Sequence, residues 1–136
     1  MPEEVIPMSS LYDLLKRITR ELPGCRLASV VNYETGMPLL ALSVGDPIDT
    51  SGADAYHSDL YRVVAHALGE LDYTQSPQGF VLTGREAIFV SLPLADTGFF
   101  WHIVTERATT IGFTQVVMRK HAANVQAGVQ ELLQAS

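Results

Sequence analysis

Few residues of this sequence have the types and spacing that chemistry at a site requires. His66 and Glu70 lie four residues apart, a spacing that places two side chains on one face of a helix and suits two ligands of one metal ion. The sequence offers no evident third ligand, so a solvated or interface pair is the favoured interpretation. Asp54, His57 and Asp59 form a second polar cluster, which the preference of acidic groups for a helix N-terminus explains without a metal. We therefore predict no metal and no other cofactor.

The other candidate residues also lack the neighbours that catalysis needs. His102 lies in the most apolar segment with no marked nucleophile beside it, so we expect a core histidine with one hydrogen bond. His121 follows Arg119 and Lys120, and we expect it on the solvated face of a helix. Cys25 begins a predicted strand, where a free cysteine behaves as a small buried hydrophobe. Glycine-rich phosphate-binding and nucleophile motifs are absent from the sequence, which predicts a protein that is not an enzyme.

Composition and charge narrow the class of protein further. The 136 residues are 47% hydrophobic and 18% charged, so one domain can bury a core without disulfides. The formal net charge is −6 and the basic residues are scattered along the sequence, which argues against nucleic acid as a partner. No leader segment and no apolar run of about 18 residues is evident, so we expect a cytoplasmic protein without membrane insertion.

Apolar periodicity predicts three helices and five strands in a single domain, residues 1–136. Ser10 is the expected N-cap of the first helix, and Pro23-Gly24 ends it. Short turns at Glu34-Thr35-Gly36 and Asp96-Thr97-Gly98 require antiparallel neighbours. The predicted helices are about 10–22, 52–71 and 110–134, and the predicted strands are about 25–32, 38–43, 79–84, 86–94 and 99–106.

The order α-β-β-α-β-β-β-α predicts an α+β fold with one five-stranded antiparallel sheet. We expect the middle helix on one face and the first and last helices on the other. The strand at 99–106 barely alternates between apolar and polar residues, so it should be central and covered on both faces. Gly112 should let the last helix start hard against another backbone. The middle helix carries two neighbouring apolar stripes, an arc wider than one sheet face requires, so it should contact something besides its own sheet.

Three stretches of the sequence resemble the roadblock/dynein light-chain family, a relative of the longin and profilin-like folds. They are the first hairpin "LASVVNYETGMPLLALS", the late strands "FVLTGREAIFVSLPLADTGFFWHIVTE" and the entry to the last helix "ATTIGFTQVVMRKHAANV". The resemblance covers about residues 10–133. It implies a small, non-enzymatic, dimeric protein in which the middle helices pack side by side and the third strands extend the sheet. Many bacterial and archaeal members bind or regulate small Ras-like GTPases through the paired middle helices.

The resemblance implies a homodimeric interaction module with a small Ras-like GTPase as its further partner. The connection at residues 44–59 is longer and more acidic than a minimal family member needs, and it lies beside the implied partner face. That face comprises apolar residues of the middle helix and the third strand: Tyr56, Leu60, Tyr61, Val63, Val64, Ala67, Leu68, Leu71, Phe80 and Leu82.

A small-molecule sensor is the alternative function. Sheets with helices on both faces can hold a ligand between a helix and the sheet. In this chain the pocket would lie under the middle helix and would be lined by aromatic residues: Tyr56, Tyr61, Phe89 and Trp101.

Overall fold

The computed structural model describes the backbone of residues 7–45, 51–71 and 79–135, and the side chains of these residues except 7–9, 51–58, 61 and 135. The strands form one antiparallel sheet in the order β2-β1-β5-β4-β3, which confirms the predicted α+β fold. The helices are α1 (Pro7–Glu21), α2 (Ser51–Glu70) and α3 (Ile111–Ala135), and the strands are β1 (Cys25–Asn32), β2 (Pro38–Ser43), β3 (Phe80–Thr83), β4 (Ala87–Leu94) and β5 (Phe99–Glu106).

The first helix begins earlier than the sequence predicts. It starts at Pro7, whereas the prediction made Ser10 its N-cap, and Ser10 instead lies inside the helix. Proline suits the first turn of a helix because its fixed φ is already helical and the N–H it lacks would have no partner there. The prediction followed the apolar stripe, which marks the buried part of a helix and not the residue at which the helix begins.

Two turns with residues at positive φ set the direction of the strands. The β1–β2 turn is closed by the Gly36 N–H donating to the Asn32 carbonyl at 2.8 Å, with Gly36 at φ 76°. The Asn32 Oδ1 atom accepts hydrogen bonds from the N–H groups of Glu34 and Thr35 at 2.8 and 3.1 Å. Gly98 has the same φ of 76° in the β4–β5 turn. The first turn places β2 antiparallel beside β1 and the second places β5 antiparallel beside β4; β5 pairs with β1 on its other side and so lies at the centre of the sheet.

The hydrophobic core lies between the sheet and the helix pair α1–α3. Leu11, Leu15 and Ile18 of α1 are buried against the inward side chains of the sheet, which include a fully buried Trp101. Thr110 is the N-cap of α3, because its Oγ1 atom accepts a hydrogen bond from the backbone N–H of Phe113 in the first turn at 3.2 Å. The first and last helices therefore share one face, and α2 packs on the other face, mainly against β1.

The prediction that Gly112 allows a close backbone contact is wrong. A Cβ atom added at Gly112 would meet no atom within 4 Å. The close approach occurs at Gly128 instead, where an added Cβ would lie 3.0 Å from Cδ1 of Leu11. The last helix thus meets α1 well beyond the position that the sequence suggested.

Candidate partner-binding face

The sheet face under α2 is only partly covered by the residues that the structure describes. In the sheet register Leu82 of β3 lies opposite Phe89 of β4, and Phe89 lies opposite Val104 of β5. Leu82 is 40% exposed, and Phe89 and Val104 are half-buried. Because α2 packs mainly on β1, this apolar half of the sheet, made by β3, β4 and β5, remains accessible beside the helix.

The helix α2 presents apolar side chains in two directions. Leu60, Val64 and Leu68 are half-buried toward the sheet. Val63 is 63% exposed, and Leu71, directly after the helix, is 67% exposed. The predicted wide apolar arc is therefore present, and the described sheet covers only one side of it. Of the other predicted helix residues, Ala67 is exposed, and the side chains of Tyr56 and Tyr61 lie outside the described residues.

The edge strand β3 continues this apolar surface. It pairs with β4 on one side and forms the end of the sheet on the other. Phe80 is half-buried on the same side of the sheet as Leu82, whereas Val81, opposite the buried Val90, lies on the α3 side and is 37% exposed. An apolar strand at the edge of a sheet is a template for pairing with another chain. Val81 was not among the predicted interface residues, although the unbroken apolar run Phe80–Leu82 indicates a strand with apolar residues on both faces.

An arginine that the sequence analysis missed holds α2 in place. The Nη1 atom of Arg62 donates to the backbone carbonyls of Tyr33 and Glu34 in the β1–β2 turn, the latter at 3.1 Å. Its Nη2 atom forms an ion pair with Asp59 one turn earlier. A planar guanidinium can bridge several acceptors in this way. Arg62 is the only lysine or arginine in the sequence from 27 to 84, a signal that could have indicated its role.

A buried polar row crosses the central strands on the α2 side of the sheet. Ser29 Oγ lies 3.1 Å from His102 Nε2, and Ser91 lies opposite His102 on the neighbouring strand. The distance would suit a nucleophile–base pair. Ser29 and His102 are both fully buried, however, so a substrate cannot reach them. His102 is a hydrogen-bonded core histidine, as the sequence predicted.

The other predicted polar sites provide no chemistry in the structure. His66 Nε2 and Glu70 Oε2 are 3.9 Å apart, and both side chains are more than three-quarters exposed, so they form at most a weak ion pair. No group of three potential metal ligands occurs among the described residues. The side chains of Asp54 and His57 lie outside the described residues. Burial raises the pKa of the Cys25 thiol to about 11, so this cysteine is an unreactive core residue.

The prediction that His121 lies on the solvated face of α3 is wrong. Its side chain is only 13% exposed, and its Nε2 atom lies 3.0 Å from Oε2 of Glu21 in α1. Lys120 Nζ binds the other oxygen of Glu21 at 3.1 Å. The hydrogen bond from Lys120 is the main reason why the pKa of Glu21 is lowered. The sequence pattern assigned His121 to solvent because it did not show that α1 runs along this side of α3.

The sensor pocket predicted under the middle helix is also not formed as expected. Trp101 lies opposite Val30 and Leu92 and is fully buried in the core beneath α1 and α3. Phe89 faces the other side of the sheet, toward α2. A single pocket between α2 and the sheet therefore cannot contain both aromatic rings.

The protein resembles known proteins in its fold rather than in its sequence. No protein-family model and no curated protein matches the sequence. Among solved structures, the gliding protein MglB from Thermus thermophilus matches with a TM-score of 0.81 at 13% identity, covering 95% of each chain. A Roadblock/LC7 domain from Streptomyces avermitilis matches with a TM-score of 0.72 at 14% identity, covering 88% of this chain and 93% of that one. This chain has the roadblock fold.

A further match with the roadblock fold is an MglB structure described as having a tetrameric arrangement. Its TM-score is 0.81 at 15% identity, and the match covers 95% of this chain and 94% of that chain. The match extends over nearly the whole length of both chains, so α2 and β3 are integral parts of the roadblock fold here. The family resemblance expected from the sequence is confirmed at the level of the fold. None of the described helices is long and apolar enough to span a membrane.

Proposed function

We propose that this chain is a non-enzymatic, homodimeric interaction module that binds a small Ras-like GTPase through the surface built by α2 and β3. The observation that carries the proposal is the exposed apolar arc of α2 beside an incompletely covered half-sheet. Val63 and Leu71 are more than three-fifths exposed there, next to the half-buried apolar residues Leu60, Val64 and Leu68 of the same helix. Such a surface is typical of a protein–protein interface.

Self-association accounts for both parts of this surface. In a two-fold dimer the same patch of each protomer meets its copy, so α2 would pack beside its partner's α2. The edge strand β3 would pair with its copy and continue the sheet, which would cover Val81 and Leu82. An MglB structure of the same fold has a tetrameric arrangement, and this supports an assembly of some kind for the roadblock fold.

A GTPase is the further partner that the family resemblance implies. The outer side of α2 carries exposed polar residues beside Val63, among them Asp59, His66 and Glu70. An apolar centre with a polar rim is the usual composition of a binding surface. A protein acting there would reposition the GTPase's own residues, which agrees with the inaccessibility of the Ser29–His102 pair. Such a role also agrees with a cytoplasmic location and needs neither a cofactor nor nucleic acid.

A pull-down from the native cell lysate tests the GTPase proposal. The tagged protein is incubated once with a GTP analogue and once with GDP, and bound proteins are identified by mass spectrometry. We expect a Ras-like GTPase to be captured preferentially with one nucleotide. Val63→Asp should abolish the capture, whereas Val116→Asp, a matched change of a 62% exposed valine on α3, should leave it unchanged. Capture of no GTPase in either nucleotide state, or equal capture by both variants, would contradict the proposal.

A further inference from the structure

Five of the nine lysine and arginine residues lie on one surface of the molecule, on the other side of the sheet from α2. The basic residues are scattered along the sequence, but the fold brings these five together because α1 and α3 lie side by side. All five side chains are exposed. We call this surface the basic face: Lys16, Arg17 and Arg20 on α1, and Arg119 and Lys120 on α3.

The contact between the two helices shows that the two rows of cations adjoin. Glu21, the last residue of α1, accepts Lys120 Nζ at 3.1 Å and lies 3.0 Å from His121 Nε2. The C-terminal half of α1 therefore lies beside the N-terminal half of α3, and Arg20 is the immediate neighbour of Glu21. Among the described residues, Asp13 and Glu21 accompany the five cations and Glu106 lies at the hollow beside Phe113, so five cations adjoin three carboxylates and the surface keeps an excess of positive charge.

Large apolar side chains are exposed next to the basic face. Phe113 is 47% exposed and Val116 is 62% exposed, two turns and one turn before Lys120 on the outer side of α3. Phe113 also lines a shallow hollow together with Pro23 and Gly24, at the end of α1. A phenyl ring and an isopropyl group thus border the cations contributed by both helices.

The opposite side of the molecule has the opposite charge. The helix α2 carries Asp54, Asp59 and Glu70 against a single cation, Arg62. The whole chain has a net charge of −6, so the excess of negative charge lies outside the basic face. A charge distribution of this kind orients a protein as it approaches a charged surface.

We propose that the basic face docks onto an anionic lipid bilayer surface. Clusters of four to eight basic residues on a helical surface attract anionic headgroups, and aromatic or aliphatic side chains beside them enter the boundary between headgroups and acyl chains. The exposed Phe113 favours a bilayer over an acidic polypeptide, because a hydrated acidic chain offers no apolar phase for the ring. In this orientation α2, on the other face of the sheet, points away from the bilayer and stays available to other proteins.

Flotation with lipid vesicles tests the docking. Vesicles of phosphatidylcholine alone are compared with vesicles that also contain phosphatidylserine, at low and at physiological salt. The full chain should float only with the anionic vesicles, and less at higher salt because ions screen the attraction. The triple variant Lys16→Glu, Arg17→Glu, Arg20→Glu should lower the partition coefficient by about 100-fold or more, since each basic residue contributes about fivefold. Phe113→Ser should also lower it.

Matched controls separate docking from general effects of the substitutions. Arg85→Glu changes an exposed arginine on the β3–β4 turn and should bind vesicles as the unchanged protein does. Circular dichroism verifies that each variant is folded, and the salt dependence of the unchanged protein needs no variant at all. Absence of flotation with anionic vesicles overturns the proposal, as does undiminished flotation of the triple variant. Binding to polyglutamate without binding to vesicles would also overturn it and would assign the basic face to an acidic protein partner.

Discussion

The two glycines of α3 differ in what surrounds them. A Cβ atom added at Gly128 would lie 3.0 Å from Cδ1 of Leu11, closer than most side-chain contacts, so the missing side chain allows α1 and α3 to approach each other. Gly112 has open space around it and is exposed in the first turn of the helix. The same residue type therefore serves packing at one position and contributes only conformational freedom at the other.

Substitution of the two glycines should change the stability in opposite directions. Gly112→Ala is expected to raise the free energy of unfolding by up to about 1 kcal/mol, because alanine favours the helix and meets no atom. Gly128→Val should lower it by about 1–3 kcal/mol, because the added atoms overfill the contact with Leu11. Urea unfolding followed by circular dichroism measures both changes. A loss of stability at Gly112, or none at Gly128, would contradict this assignment of the close contact.

The sequence was sufficient for the buried residues but not for their contacts. Apolar periodicity located Leu11, Leu15 and Ile18 in the core, and the lack of alternation correctly indicated a central last strand. The choice of Gly112 failed because a close approach depends on which residue of another helix lies opposite. His121 was assigned to solvent for the same reason. Such information lies in the packing of α1 against α3, which periodicity within one helix does not contain.

At the scale of elements, α2 is held to the sheet differently from the other two helices. The helices α1 and α3 bury continuous apolar stripes in the main core, whereas Leu60, Val64 and Leu68 of α2 are only half-buried. Hydrogen bonds from Arg62 to the β1–β2 turn add to this limited packing. The position of α2, and with it the candidate partner-binding face, therefore depends on a polar contact with a hairpin.

Removal of this contact should loosen α2 selectively. We expect Arg62→Ala to increase hydrogen exchange at the amides of α2 while exchange in α1 and α3 stays unchanged. The free energy of unfolding should fall by only about 1 kcal/mol, since the arginine is partly exposed. Mass spectrometry of deuterated peptides measures the exchange, and Arg85→Ala, at an exposed turn, is the control. Unchanged exchange in α2 would show that Arg62 does not hold the helix.

Some residues at or near the candidate partner-binding face were not predicted from the sequence. Helical periodicity predicted an apolar arc on the middle helix wider than one sheet face requires, and Val63 and Leu71 are exposed in the structure; their place in an interface stays a prediction. Val81 and Arg62 were missed. Val81 is exposed because β3 is the edge strand of the sheet. The role of Arg62 depends on carbonyl groups in the β1–β2 turn, which is distant in the sequence.

In the whole molecule, the basic face and α2 lie on opposite faces of the sheet. The basic face belongs to α1 and α3, whereas α2 packs on the other face, against β1. A protein docked on lipid through the basic face could therefore present α2 to a partner. The two surfaces can be tested independently by substitution, because Val63 on α2 and Val116 on α3 are almost equally exposed and lie on different helices.

Measurement of the molar mass in solution is the most direct test of self-association through α2. Light scattering coupled to size-exclusion chromatography should give at least twice the chain mass of 14.9 kDa for the unchanged protein. Val63→Asp should give the mass of one chain, because a buried carboxylate without a partner destabilises an apolar interface. Val116→Asp should leave the assembly intact. A monomeric unchanged protein, or an assembly that survives Val63→Asp, would contradict self-association through α2.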